Sequence, residues 1–303
     1  MATPPRLLPP SGTVMVTRRV LKRQHRLRPS REVNQLILYL LAVAADRYSV
    51  RVHAFQVLSN HLHLVVSYSG KTLPKFMQFS GSQVARALNC HQGQWETVWA
   101  PGSYNKLDFL RDRATIFKYM LYVLTNVVAA GLVRSAKEWP GVKILAHEIG
   151  RRSWQVDRPD FFFDAEGGMP ESVVLETSMP RIPGLSAEEA RGQLIANCRE
   201  RERTIRRDRK AKGLGFLGAQ AILAQSPHSY PRGGEPRRGL NPRIAASNRW
   251  ARLEAIQRLK EFLARYAHAL ARFVSGQRSV VFPSGTYRMH VFLGARCEDP
   301  APS

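Results

Sequence analysis

The 303 residues carry 46 Lys and Arg against 23 Asp and Glu, a formal charge of +23, with 44% hydrophobic residues and three cysteines. That hydrophobic fraction supports one substantial core with a smaller satellite, and the charge points to a polyanion, nucleic acid, as partner. Cys90, Cys198 and Cys297 are too few and too scattered for a disulfide framework or a Cys-type zinc module, and no GxxxxGK[ST] phosphate loop occurs.

Residues 1–12 are Pro-rich and read as a flexible N-terminus, without the Lys/Arg-led apolar segment of a secretory signal, so a cytoplasmic location is expected. A strand over Thr13 to Arg18 follows. It leads into Arg18, Arg19, Lys22, Arg23, Arg26, Arg28 and Arg31, a run with no acid among them. Unrelieved like charge destabilises a compact fold, so the run is read as a phosphate-contacting surface in preference to a solvated loop. Its arginines could also stack on unpaired bases. Ser30 is placed to cap an amphipathic helix over Arg31 to Tyr48, whose apolar stretch Leu36 to Ala45 is too short to span a bilayer.

Val50 to Val57, a turn at Ser59-Asn60 and a second strand to Tyr68 predict a hairpin. Because side chains alternate along a strand, His61 and His63 emerge on one face and Leu62, Leu64 and Val66 on the other. Two imidazoles so placed are either a metal-ligand pair or core histidines bonded to carbonyls, and the spacing alone does not decide. A helix is expected over Thr72 to Asn89.

Between Arg111 and Val133 the apolar residues Ile116, Met120, Val123, Val127 and Ala130 recur at helical intervals, with Gly131 as a stop. At about 100° per residue Thr115, Tyr119, Tyr122 and Asn126 share a flank of this helix. Tyr122 and Asn126 are then one turn apart, a phenol and an amide on one face.

Trp139 to Pro183 is read as a strap or small β element, with Asp160 to Phe163 and Ser172 to Glu176 as its β-rich pieces. Ser186 and Glu189 form a capping-box signature for an Arg-rich helix to about Lys212, solvated or DNA-contacting. Gly213 to Pro242 reads as a flexible basic linker, Arg243 to Val274 as a long helix, and Val280 to Leu293 as a hairpin turning at Pro283-Ser284-Gly285. The expected organisation is a flexible 1–12, a catalytic domain over 13–140, an irregular strap over 141–185, and a basic, mainly helical extension over 186–303 with a terminal hairpin. The fold class is α+β, an antiparallel sheet with packed helices.

With SNHLHLVV followed some sixty residues later by LYVLTNVVAAGLV, the chain resembles the HUH-type single-tyrosine transposases, particularly the REP-associated tyrosine transposases. The resemblance covers roughly Thr13 to Pro140 and includes the paired strands, the Thr72 to Asn89 helix, the Trp95 to Asp108 stretch and the tyrosine helix. It implies an HUH-type, ferredoxin-like fold, His61 and His63 as paired metal ligands, Asn126 as the third ligand where many relatives use Gln, and Tyr122 as nucleophile. Tyr119 is the rival nucleophile, placed second because Tyr122 has the four-residue spacing to Asn126. One departure stands out: relatives commonly read Asn-Pro-Val-Arg-Ala-Gly where this chain has Asn126-Val127-Val128-Ala129-Ala130-Gly131. The resemblance further implies Mg²⁺ or Mn²⁺ as cofactor and single-stranded or hairpin DNA as substrate, cut and rejoined through a 5′-phosphotyrosine. Two other readings remain: a non-catalytic DNA-binding protein, and a metal-dependent nuclease using water. The site is expected either within one chain or across a homodimer.

Overall fold

The structure is a computed structural model that describes residues 7, 9–70, 72–101, 106–110, 112–231 and 249–299. Its centre is a four-stranded antiparallel sheet ordered β2-β3-β1-β4, from β1 (Ser11–Arg19), β2 (Arg51–Leu58), β3 (His61–Ser69) and β4 (Lys106–Leu110). The expected hairpin is β2–β3, closed by Ser59 and Asn60. Strand β1 starts at Ser11, so residues 11 and 12 of the segment expected to be flexible belong to the sheet.

Helices cover both faces of the sheet. Helix α1 (Arg31–Arg47) begins where Val33 N donates to the Ser30 side chain (3.2 Å), the cap expected from sequence. With α2 (Thr72–Gln92) it covers the face carrying Leu62 and Leu64, which meet Ile37, Leu41, Met77 and Val84. The opposite face, carrying the histidines, receives α3 (Arg113–Ala129). Asp112 caps α3 by accepting from Thr115 N (2.8 Å) and from the Thr115 hydroxyl (2.7 Å). At the other end Gly131 adopts φ +73°, Gly131 N donates to Val128 O and Leu132 N to Val127 O, the paired bonds of a Schellman stop that favours glycine.

Strand β2 is a sheet edge, a liability unless covered. Here the chain after α3 lies along it: Val57 N donates to Val142 O (2.9 Å), Ile144 N to Phe55 O (3.2 Å) and Ser178 N to Val52 O (3.2 Å). Between these contacts a small hairpin of β5 (Ser153–Asp157) and β6 (Ser172–Glu176) packs on α1. Asp160 to Phe163 is a turn and not a strand, with Phe162 at φ +77°; the β partner of Ser172–Glu176 is Ser153–Asp157.

Helix α4 (Ala187–Ala211) opens with the expected capping box and lies against α3. Residues 213–231 are not a loose linker. Leu217 N and Gly218 N donate to Gly131 O and Leu132 O, helix α5 (Ala219–Leu223) buries Ile222 against Leu58, Val127 and Val128, and the chain then reaches Ser59 and His25. These bonds connect residues far apart in sequence, which Gly/Pro composition does not reveal. The remainder of the expected linker, 232–242, lies outside the described residues. Beyond it, α6 (Arg249–Val274) forms a separate small core with β7 (Val281–Phe282), α7 (Arg288–Leu293) and β8 (Arg296–Cys297). The expected terminal hairpin is therefore wrong: β7 pairs with β8, in parallel, and Arg288–Leu293 is helical. Among the described residues no helix is long and apolar enough to cross a membrane, and the three cysteines are unbridged.

A bulge between Val52 and Ala54 turns His53 inward, where its Nδ1–H donates to Ser178 O (2.7 Å) and Nε2 meets Ser67 Oγ (2.7 Å). Burial pushes its pKa down to about 4, the Ser178 bond opposing and Arg51 adding to the depression. The folded state thus holds His53 neutral where the unfolded chain binds a proton. Stability from this residue is full above about pH 6.5 and is lost as pH falls toward 4, to the extent of about 3 kcal/mol. Urea unfolding of wild type and His53→Gln between pH 7 and 4.5 should show a shallower acid loss in the variant; parallel curves would refute this account.

Candidate active site

The two-residue turn fixes the phase of β3, so His61 and His63 share the face under α3. The cross-strand register aligns His63 with Gln56 on β2 and Thr17 on β1, and residues opposite one another in an antiparallel pair share a face. Thr17 Oγ1 lies 2.8 Å from His63 Nδ1. His61 Nδ1–H donates to Asn60 Oδ1 (2.6 Å), which makes Nε2 the basic nitrogen of that ring. The two imidazole centres are 4.8 Å apart and nearly perpendicular (81°).

Helix α3 brings Tyr122 onto this pair, its ring centre 5.1 Å from that of His63 at 76°. The phenol belongs to the same chain as the histidines, so the constellation forms within one protomer. Tyr122 is 37% exposed, its ring reachable from solvent, whereas Tyr119 packs on the main core. Asn126, one turn further along α3, is buried.

The spacing of the two imidazoles suits a shared metal ion. With a metal–nitrogen bond of about 2.1 Å and roughly 1 Å more to each ring centre, two imidazoles sharing one ion stand about 5 Å apart. The observed 4.8 Å fits. Among the described residues no group of three or more His, Cys, Asp or Glu gathers to hold a metal. A third protein ligand to this pair drawn from the described residues would be of another type, such as an amide. Gln56, which the sequence reading passed over, is a second amide on the same sheet face. Its Nε2 is buried without a hydrogen-bond partner among the described residues. A lone amide in the mainly apolar run Val52 to Leu58 was the sequence signal for it; Thr17 and Asn60 gave none.

The seven cations from Arg18 to Arg31 divide. Arg26 is 2% exposed, its Nε donating to Gln92 Oε1 (2.7 Å) and its Nη2 to Asn89 Oδ1 (2.9 Å), so it joins the loop to α2 and offers no surface to DNA. Arg18 stacks on Trp99 (4.5 Å) and donates to Met77 O (3.1 Å), passing so close to Gly81 that a Cβ there would overlap its guanidinium. Arg28 donates to Leu223 O. Arg19, Lys22 and Arg31 are exposed and Arg23 half-buried, which leaves the basic surface smaller than the sequence implied. On α4, Arg201 Nε donates to Thr125 Oγ1 (3.0 Å) and Arg209 stacks on Phe216, while Arg199, Arg203, Arg207 and Lys210 are exposed.

No family model and no curated protein sequence matches the chain. Among solved structures, it is similar to a REP-associated tyrosine transposase bound to a REP hairpin, at 17% identity and a TM-score of 0.38 over 46% of this chain and 81% of that one. It is also similar to a candidate transposase from Deinococcus radiodurans R1, at 19% identity and a TM-score of 0.28 over 39% of this chain and 95% of that one.

The division of the basic run makes a stability prediction. Arg26→Ala removes a buried side chain and leaves two half-buried amide oxygens without their donor, and should cost about 2–4 kcal/mol, whereas Arg19→Ala with Lys22→Ala should change stability by roughly 0.5 kcal/mol or less. Chemical denaturation of the two variants separates these outcomes, and equal midpoints would contradict the assignment.

Proposed function

We propose that this chain is a transposase-like DNA strand transferase that cuts and rejoins single-stranded or hairpin DNA through Tyr122. The observation that carries the reading is the contact, within one chain, between the partly exposed Tyr122 ring and the His63 imidazole.

In this reading Tyr122 Oη attacks a backbone phosphorus. The bond from tyrosine oxygen to phosphorus forms as the bond from phosphorus to the 3′ oxygen breaks. The phenolic proton passes to solvent, which the partial exposure of the ring permits, and the departing oxygen leaves as a 3′-hydroxyl. The product is a 5′-phosphotyrosine that retains the energy of the original phosphodiester. A 3′-hydroxyl attacking that phosphorus regenerates the phenol and reseals a strand, so no nucleoside triphosphate is consumed. His61, His63 and Asn126 would hold a divalent ion, Mg²⁺ or Mn²⁺, which when bound draws charge from the non-bridging oxygens of the phosphate. Thr17 and Asn60 act one step back: each fixes an imidazole through Nδ1, setting ring orientation before any ligand arrives. The exposed Arg19, Lys22 and Arg31 supply sequence-independent attraction to the strand.

Incubation with a hairpin oligonucleotide and Mg²⁺ or Mn²⁺ should yield a protein–DNA adduct that survives denaturing electrophoresis. Tyr122→Phe should abolish adduct and cleavage together, and His61→Ala or His63→Ala should remove metal-dependent cleavage. Cleavage that persists in Tyr122→Phe without adduct would indicate water as nucleophile, and adduct that persists would move the nucleophile elsewhere.

The support from Thr17 gives a subtler expectation. Thr17→Val should lower cleavage about 10–100-fold at limiting metal and recover toward wild type as metal is raised, while Thr17→Ser stays near wild type. A Thr17→Val enzyme with an unchanged metal titration would remove the hydroxyl from this role.

A further inference from the structure

Three segments distant in sequence meet at the end of the sheet where His61 stands. The first is the basic turn after β1, since Arg19 is the register partner of His61 and Val20 N donates to Asn60 O (2.9 Å). The second is the loop after α2: Leu21 N donates to Val98 O, Ala100 N to Arg19 O, and Val20 bridges to Trp99. The third is the segment beyond α5, where Ser229 O accepts from His25 N (2.9 Å), the His228 imidazole accepts from Gln94 Nε2 (2.7 Å), and Gln225 Oε1 accepts from Ser59 Oγ (3.0 Å).

Each of the last two segments holds a large aromatic ring in water. Trp95 is 89% exposed and Tyr230 is 64% exposed. The exposure of Trp95 does not come from a slack loop, because Gln94 N donates to Asn89 O (2.9 Å) and Asn89 Nδ2 to Glu96 O (3.0 Å). The bond between Gln94 and His228 ties the residue beside Trp95 to a point two residues from Tyr230. Trp95 is four residues from Trp99, so at most about 14 Å of extended chain separates it from the strand that pairs with His61. Exposed Arg19 and Lys22 lie on the intervening turn.

We propose that Trp95 and Tyr230 form a stacking platform for unpaired bases of the DNA strand that flanks the cut position. The inference rests on the function proposed above and assigns the part of the substrate that the histidines and Tyr122 leave unread. Exposed indole and phenol faces beside guanidinium and ammonium groups are the combination that binds single strands, the cations tracking phosphates while the rings take bases of any sequence. Glu96, exposed beside Trp95, repels a phosphate at that spot, so the ring engages a base face and the backbone runs on the Arg19 and Lys22 side. A duplex end presents no unstacked base to such rings, so the platform selects DNA with an unpaired flank.

The test is fluorescence anisotropy with the full chain in EDTA, which separates binding from cleavage. Three hairpin oligonucleotides are used: one with an unpaired flank, one whose flank is abasic, and one that is blunt. Wild type should favour the base-bearing flank over the abasic one by about tenfold or more. Trp95→Ala should erase that preference while binding the blunt hairpin as wild type does, Trp95→Phe should keep most of it, and Tyr230→Ala should reduce it. An undiminished preference in Trp95→Ala and Tyr230→Ala, or equal binding of all three oligonucleotides by wild type, would overturn the platform and leave the proposed chemistry standing. Failure of wild type to bind any of the three would remove both.

Discussion

The pairing of β1, β3 and β2 in a single register is the constraint from which the candidate site follows. With Thr17, His63 and Gln56 aligned across three strands, the His63 ring has a fixed face, a fixed partner at Nδ1 and a buried amide beside it. The two-residue turn sets the phase of the strand, because a slip of one residue would send both imidazoles to the opposite face, against Ile37, Leu41 and Met77, and bring Leu62 and Leu64 under α3. Helix α3 then needs only one correct rotation. Asp112 at its start and Gly131 at its end set its limits, and the burial of Ile116, Met120, Val123 and Val127 sets its roll, which leaves Tyr122 above His63.

The charge of this chain is put to two uses that composition cannot separate. Arg26 and Arg18 stabilise the junction between the β1 turn and α2, where their guanidinium groups donate to the half-buried amides of Asn89 and Gln92 and to the Met77 carbonyl. Arg201 and Arg209 do similar work between α4 and the C-terminal half of α3. The cations left at the surface, Arg19, Lys22 and Arg31 near the histidines with Arg199, Arg203, Arg207 and Lys210 on α4, are those able to meet a phosphate. Charge at the histidine end of the sheet is thus partly a scaffold for charge presented to solvent.

What the sequence made legible was whatever has a short period. The alternation in His61 to Tyr68 placed two imidazoles on one face, and the helical spacing of Tyr122 and Asn126 placed a phenol and an amide on one flank. Capping chemistry was readable at Ser30, Ser186 and Gly131 but was missed at Asp112. The failures share a physical cause, since each depended on partners distant in the chain. Residues 213–231 have the composition of a linker, yet backbone bonds to Gly131, Leu132 and His25 order them. Arg26 looked like its exposed neighbours because nothing local reports that Asn89 and Gln92 will enclose it. The terminal segment alternated enough to suggest a hairpin, but burial of Met289 in a small separate core gave a helical turn.

The ordering of residues 213–231 ties the C-terminal extension to the geometry of the candidate site. Ile222 fills a cluster with Leu58, Val127 and Val128, and so joins the end of β2, immediately before the histidine turn, to the end of α3, just beyond Asn126. Gln225 then holds Ser59, whose carbonyl accepts from Leu27 N, and Val20 N holds Asn60. The turn that orients His61 is therefore braced from the basic loop and from the extension, while α3 is braced by α4 and by the same extension. A sheet and one helix would suffice to bring the phenol near the imidazoles. Holding them to the fraction of an ångström that the proposed chemistry at phosphorus would require calls for supports whose own positions are fixed. In this chain several of those supports, α4 and the segment around Ile222 and Gln225, lie more than sixty positions beyond the tyrosine, so the segment after residue 140 belongs to the structure of the site even where it supplies none of its reacting atoms.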